Sequence, residues 1–307
     1  MKENNSINYS IIIPHKNSPL LLERCLESIP IRNDIQIIIV DDNSDPEIVN
    51  FSEFPGLDRF NTEVYFTKDS KGAGFARNIG LSKVIGKWII FADADDFFNI
   101  CLDKKMDEYL NSNYDIIYFQ TNSINNISNK KVESRGIEYN KWLQDSIKKN
   151  IILDEVRYRI NPPWGKFYSN ELLKKHNINF DESLTANDVM FSTKSGYAAK
   201  NIKIDLSYLY CSSITIGSLD FTNDLEHILP RFNIALKHFE FLKQINKKKY
   251  RINIFNSLNM LRKLNKKNVL KKAFHKAYRV LGIKYLILDL LEILKIKLHN
   301  LLWLKRV

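Results

Sequence analysis

Three carboxylates, Asp93, Asp95 and Asp96, stand at the end of a short apolar run, Trp88-Ile89-Ile90-Phe91-Ala92. Two isoleucines and two aromatics in five residues are the pattern of a strand buried on both faces. If the chain stays extended past Ala92, alternation points Asp93 and Asp95 to the same side, toward one ligand. Two carboxylates that close repel and desolvate badly unless a cation or hydrogen-bond donors hold them. Oxygen ligands suit Mg²⁺ or Mn²⁺, which keep waters and recruit substrate phosphates to complete their shell. The bland alternative is a solvated acidic turn. Position favours the ligand, because open α/β sheets bind at the C-terminal ends of their strands.

The elements that would position these acids can be read in order. Tyr9-Ser10-Ile11-Ile12-Ile13 is a first buried strand ended by Pro14, and Ser18-Pro19 starts a helix, with Ser18 as its N-cap, that runs to about Ile29. Ile35–Val40 is a second strand, and it too stops at acids, Asp41 and Asp42. Strand, helix and strand in about 35 residues predict a parallel βαβ unit. Glu63–Phe66 is a third strand, leading into Lys71-Gly72-Ala73-Gly74-Phe75-Ala76-Arg77-Asn78, a glycine-bearing turn that opens a helix ending near Gly86. That run is not the dinucleotide fingerprint, since no glycine holds the sixth place, which is Arg77, and the segment follows the third strand. Beyond the acids, Tyr114–Phe119 reads as a strand, 121–135 as a loop or hairpin, and 139–150 as helix. Asn161-Pro162-Pro163-Trp164-Gly165-Lys166 predicts a rigid loop, Ser169 caps a helix to His176, and Asn187-Asp188 opens another. Ile202–Asp205 and Tyr208–Cys211 alternate as two short strands would.

From about Asn223 the periodicity becomes helical throughout, over 224–245, 250–265, 268–281 and 283–304. The charge divides at the same place: residues 231–307 carry 20 Lys/Arg against 3 Asp/Glu, while the front is mildly acidic, within a net charge of +11. Such asymmetry implies an anionic partner for the tail. The last segment sets Ile283, Leu286, Ile287, Leu290, Leu294, Leu298, Leu301 and Leu302 on one side with cations around them. That composition suits a helix lying on an anionic membrane surface, and equally a helix covering a core. No stretch is apolar for long enough to span, and the N-terminus has no signal-peptide core. Three scattered cysteines, Cys25, Cys101 and Cys211, fit a reducing cytosol and have no metal-ligand spacing.

Taken together, Ser10-Ile11-Ile12-Ile13-Pro14 with Asn17, Val40-Asp41-Asp42-Asn43-Ser44, Gly74-Phe75-Ala76-Arg77-Asn78, Ala92-Asp93-Ala94-Asp95-Asp96, Trp164-Gly165-Lys166 and Asn187-Asp188 resemble the inverting glycosyltransferases of family 2. The resemblance covers roughly residues 8–210. It implies a Rossmann-like α/β fold of the A-type, a mixed, mostly parallel sheet flanked by helices. The expected division is a catalytic domain over 1–220, its nucleotide-binding half about 1–100 and its acceptor half about 101–220, then a basic all-helical region over 221–307. The implied reaction moves a sugar from a nucleotide-diphosphate sugar, most often a UDP-sugar, to a hydroxyl of a glycan or lipid-linked acceptor. By carry-over, Asp95 is a ligand of Mn²⁺ or Mg²⁺, and Asp93 contacts the ribose and the metal's waters. Asp42 binds the nucleoside with Asp41 beside it, and Pro14 lines that pocket. Lys71 and Arg77 are phosphate-side or loop-bracing cations, Arg77 being equally suited to a structural ion pair. Asp96 faces the acceptor or braces its loop, and Trp164 and Lys166 line the sugar side. Asp188 is the general base, the alternative being a helix N-terminal acid favoured by the dipole. Asn187 replaces an acid usual in the family, removing a charge that would raise the Asp188 pKa. His15-Lys16 departs from the family's common aromatic residue, and no role follows from it.

The expected location is cytoplasmic, peripheral at the inner face of the cell membrane, with oligomerisation left open. A nucleotide- or nucleic-acid-binding protein using the basic tail is the alternative, disfavoured because the tail lacks regular aromatic–basic alternation and any helix-turn-helix. A nucleotidyltransferase would want glycine in the first loop, where His15-Lys16-Asn17-Ser18 has none.

Overall fold

In the computed structural model, Tyr9–His15 (β1), Ile35–Asp41 (β2) and Trp88–Phe91 (β4) are buried along their whole lengths, as runs apolar on both faces require. Residues 6–126, 128, 130–132, 136–214 and 224–304 are described, with side chains to 295. The chain divides into two compact units, Met1–Ser218 and Leu219–Val307.

The first unit is built on an eight-stranded sheet of order β3-β2-β1-β4-β7-β6-β8-β5, completed by Thr62–Phe66 (β3), Phe97–Phe98 (β5), Ile116–Asn125 (β6), Lys166–Ser169 (β7) and Ile202–Ile214 (β8). The pairs β1/β2, β1/β4, β2/β3 and β6/β8 are parallel, and β4/β7, β7/β6 and β5/β8 antiparallel. The sheet is therefore mixed and mostly parallel, flanked by helices. Pro19–Glu27 (α1) and Ala73–Lys83 (α2) follow β1 and β3, Leu102–Tyr109 (α3) follows β5, and Gly136–Lys148 (α4), Asp154–Tyr158 (α5), Asn170–Lys175 (α6) and Asp188–Ala198 (α7) belong to the second half of the unit.

Several elements differ from the expectations. Residues after the Pro162-Pro163 pair form strand β7, inserted between β4 and β6, where a rigid loop was expected. Four residues led by a lysine carry no periodicity of their own, and only the two flanking strands make them a strand. The two strands expected at 202–211 are one, β8, with register shifts against β6 between Phe119 and Thr121. β6 runs on to Asn125 and turns back through a bridge from Ile124 to Lys131, the hairpin alternative for that stretch. Ser18 sits at the N-cap of α1 without a side-chain cap bond. Ser169 does cap α6, accepting from the Leu172 N–H at 3.3 Å.

The second unit holds Leu225–Gln244 (α8), Phe255–Lys263 (α9) and Lys267–Leu304 (α10), the last broken at Gly282, whose φ of 74° interrupts the helix. Ile228, Phe232, Phe239, Leu258, Leu261 and Ala277 belong to a separate apolar core. Asp289 is buried there, accepting from Arg251 Nε at 2.6 Å and from the Ile254 N–H at 3.2 Å. Leu286 turns into this core, a correction to the single apolar side expected for the last helix. Ile283, Ile287, Leu290, Leu291 and Leu294 are each at least 43% exposed. Leu298, Leu301 and Leu302 lie outside the residues whose side chains are described. Among the described residues no helix is long and apolar enough to cross a membrane.

Candidate active site

The site forms where β1, β2 and β4 end. The register pairs His15 with Asp41, and His15 Nδ1 lies 2.7 Å from Asp41 Oδ2. His15 Nε2 accepts from the Ser18 N–H at 3.1 Å, so the ring proton sits on Nδ1 and is donated to Asp41. Asp41 also accepts from the Ser44 N–H at 2.9 Å and from the Ser44 hydroxyl. Burial disfavours its charge, yet these donors outweigh burial and hold its carboxyl below the ordinary range. Asp42 accepts from the backbone N–H groups of Lys71 and Gly72 at 3.0 and 2.8 Å, tying the loop before α2 to the end of β2. The Asn17 N–H donates to Ser44 Oγ at 2.8 Å and the Asp45 N–H to Asn17 Oδ1 at 2.7 Å, clasping the loops after β1 and β2. Pro14 is buried within β1 beside this clasp. Lys71 is exposed, paired with Asp69 at 2.9 Å, its ammonium 4.6 Å from the centre of the Phe75 ring.

Past Phe91 the chain turns rather than staying extended, because the Asp96 N–H donates to Asp93 O at 3.0 Å. That corrects the alternation expected for Asp93 and Asp95. The two charges still meet: Asp95 is pushed up to about 6 by burial first and by the Asp93 charge second. Asp96 is buried, accepts from the Ser213 N–H at 2.6 Å and bonds the Tyr210 hydroxyl, and burial followed by the Asp95 and Asp93 charges raises its pKa. It therefore faces β8 and braces the loop. Tyr210 Oη in turn accepts from the Asp93 N–H at 2.9 Å. From behind, Arg24 on α1 donates to Asp95 O, to Ser213 Oγ at 2.8 Å and to Asn126 Oδ1 at 2.9 Å.

Arg77, buried on α2, joins this loop to the start of α7: Nη2 pairs with Asp93 Oδ1 and Nη1 donates to Asn187 Oδ1 at 2.9 Å. Asn187 also donates to Ser183 O at 3.3 Å, and Asp188 follows as the first residue of α7. Gly74 makes the junction close, since a Cβ there would fall 2.2 Å from Asp181 O and 2.8 Å from Asn187 Cβ.

Trp164 and Lys166, expected on the sugar side, are both buried. Trp164 stacks on Tyr210 with ring centroids 5.2 Å apart. Lys166 Nζ donates to Ile160 O at 2.8 Å and lies 5.1 Å from the Tyr118 ring centre. Burial lowers its pKa to about 7, against the opposing pull of the Asp188 charge.

Thus Asp93, Asp95, Arg77 and Asn187 come together, with Asp188 next in the chain to Asn187; Asp41, Asp42 and Pro14 stand beside them, and Asp96, Trp164 and Lys166 are buried behind. Sequence reasoning missed Arg24, Tyr210 and His15. Arg24 left one signal, a lone cation among Leu21, Leu22, Cys25 and Leu26.

Asp95 fits a cation. No side chain donates a hydrogen bond to its partly buried carboxylate among the described residues, and Arg24 and Arg77 act on its charge only through space, less strongly than burial and Asp93 oppose it. No group of three or more potential ligands is placed to cage a metal among those residues. One or two carboxylates completed by substrate phosphates is the usual way a protein holds Mg²⁺.

Comparison with known proteins agrees with this architecture. Residues 10–176 match the profile of Glycosyl transferase family 2. The poly(ribitol-phosphate) beta-N-acetylglucosaminyltransferase TarS of Staphylococcus aureus is 24% identical over 214 residues, 67% of this chain and 36% of the relative. A poly(ribitol-phosphate) beta-glucosyltransferase of Bacillus spizizenii is 26% identical over 208 residues, 66% of this chain and 31% of the relative. The chain thus spans about a third of the length of these relatives. The crystal structure of S. aureus TarS 1-349 in complex with UDP-GlcNAc superposes with a TM-score of 0.60 at 20% identity, covering 83% of this chain and 70% of that one. Fold and profile together define a glycosyltransferase built on the A-type α/β sheet. The chain belongs to glycosyl transferase family 2.

Proposed function

We propose that this enzyme is an inverting transferase that moves a sugar from a UDP-sugar to a hydroxyl of a surface glycan or polyol-phosphate polymer. One observation carries the reading: Arg77 ties Asp93 to Asn187, so the acid loop of the donor side and the helix start bearing Asp188 share one site. The nucleoside lies in the crevice beside Pro14, Asp41 and Asp42, at the end of the parallel strands. The Asp188 carboxylate takes the proton of the acceptor hydroxyl as that oxygen attacks the anomeric carbon. The bond from that carbon to the diphosphate oxygen breaks on the opposite face, inverting the configuration. Asp95, with Asp93, would hold Mg²⁺ or Mn²⁺, which when bound supplies Lewis-acid stabilisation of the departing diphosphate. Asp93 keeps its Arg77 pair, and Arg77 offsets part of the negative charge gathered there. UDP-GlcNAc, held by the related S. aureus protein, is the first donor to try, and poly(ribitol-phosphate), named for both relatives, the first acceptor.

The second unit fits a role at the anionic inner face of the cell membrane. Its exposed stripe of Ile283, Ile287, Leu290, Leu291 and Leu294 and its excess of Lys/Arg are the two elements of interfacial binding.

Nucleotide-sugar turnover with Mn²⁺ or Mg²⁺, with and without acceptor, tests the assignment. Asp188→Asn is expected to lower kcat for transfer by roughly 10²–10⁴-fold with donor affinity retained. Asp95→Asn is expected to abolish the metal dependence of donor binding. Full transfer by the Asp188 variant removes the base.

A further inference from the structure

A pocket of about 600 Å³ lies outside the acid-lined site, between the end of β6, the bulged middle of β8, the loop after β5 and the start of α4. That volume falls in the range of small-molecule sites. Its polar lining is neutral amides and hydroxyls, among them Asn99, Asn122, Asn140, Thr121 and Ser207. Among the described residues its lining holds no carboxylate and one cation, Lys131. Tyr208 adds an aromatic ring that is 49% exposed.

The lining is held in place and leaves hydrogen-bonding capacity unused. Asn140 closes a two-way amide pair on Thr121, accepting from its N–H at 3.0 Å and donating to its carbonyl at 2.7 Å. Asn99 donates to Asn122 Oδ1 at 2.9 Å and to Tyr208 O at 2.8 Å. The Asn122 amide nitrogen then has no partner among the described residues. The Thr121 hydroxyl is buried and also without one.

We propose that this pocket is an accessory subsite that holds a hydroxyl-rich repeat unit of a polymeric acceptor, away from the unit being glycosylated. Fixed amides and hydroxyls beside an exposed aromatic ring match a polyol or sugar, which offers hydroxyls to the first and C–H faces to the second. The pocket shares walls with the catalytic site. Tyr208 lies on the strand of Tyr210, which bonds Asp96, and Thr121 packs against Gly165, next to Trp164, so closely that a Cβ on that glycine would fall 2.8 Å from Thr121 Cγ2. Lys131 suits units joined by phosphodiesters, while the neutral amides and hydroxyls also admit neutral glycans. The inference deepens the proposed transferase reading and rests on it for the acceptor, but not for the binding.

Saturation-transfer NMR on the full chain with UDP, using a ribitol-phosphate oligomer and maltohexaose as probes, tests it directly. Binding of either probe by the native protein, weakened tenfold or more by Tyr208→Ala and restored by Tyr208→Phe, supports the subsite. Loss on Lys131→Ala of the phosphodiester probe alone identifies phosphodiester-linked units, and retention identifies a neutral glycan unit. No binding of either probe, or native-like binding by a folded Tyr208→Ala variant, overturns it. In turnover, Tyr208→Ala should raise KM for a long acceptor while kcat, donor hydrolysis and KM for a single-unit acceptor hold. If the native protein binds a probe but glycosylates none, the transferase reading fails and the subsite stands.

Discussion

Lys166 is an ammonium removed from water, and its consequences belong to the single residue. The unfolded chain keeps that proton to about pH 10.4, whereas burial brings the folded value down to about 7. Between those values the unfolded state binds more protons, so stability rises with pH across the window. The full swing is roughly 5 kcal/mol at 1.36 kcal/mol per unit. Urea melts at pH 7 and 9.5 should show a rise in the native protein that Lys166→Met flattens. Equal slopes in both would mean the lysine titrates normally. Residue types were legible where they mark chemistry: aspartates at strand ends announce themselves. Which of their oxygens are free was not, because His15, Arg77, Tyr210 and Ser213 come from distant positions to occupy them. Asp96 looked like its neighbours in the sequence, and only β8 turns it inward.

At the scale of elements, the acid loop after β4 and the start of α7 are joined by one helix, α2. Its first turn sits against the 181–187 segment through Gly74, and its Arg77 reaches both sides. Gly74→Ala gains up to about 1 kcal/mol of helix propensity. The methyl would meet Asp181 O at 2.2 Å, a backbone atom that cannot swing away. Overpacking typically costs about 1–3 kcal/mol, so the clash outweighs the propensity. The variant should melt lower and lose transfer more than donor binding, as calorimetry with transfer and donor-binding assays would show. Arg77→Lys keeps a charge but loses the two-sided geometry, and should lower kcat more than it raises donor KM. Wholly apolar or nearly apolar strands such as β1, β2 and β4 were readable because burial on both faces leaves a continuous pattern. Short elements such as β5, β7 and α5 were not, since tertiary neighbours decide them. The bulge that merges two expected strands into β8 likewise depends on pairing with β6.

For the whole molecule, the change of periodicity near residue 223 and the concentration of lysines beyond it were legible without coordinates. The inward turn of Leu286 and the burial of Asp289 were not, because each answers to a partner helix or loop. Flotation of the full chain with anionic vesicles should succeed at low salt and weaken as salt screens the cationic surface. Ile287→Asp with Leu291→Asp should reduce it tenfold or more without lowering the melting temperature, since both side chains are exposed. A salt-sensitive shift of nucleic acid in place of flotation would favour the alternative partner.

Strand β7 has a consequence for how the chain is made. It pairs with both β4 and β6, so the strand that delivers the aspartates has a free edge until residues 166–169 arrive. A ribosome will therefore have released β1 to β4 long before Trp88–Phe91 acquires its second neighbour. In the interval that apolar strand is an open template for pairing with other chains. The two halves are thus one folding unit, and a polypeptide stopped near residue 160 should aggregate where one carried through β8 stays monodisperse.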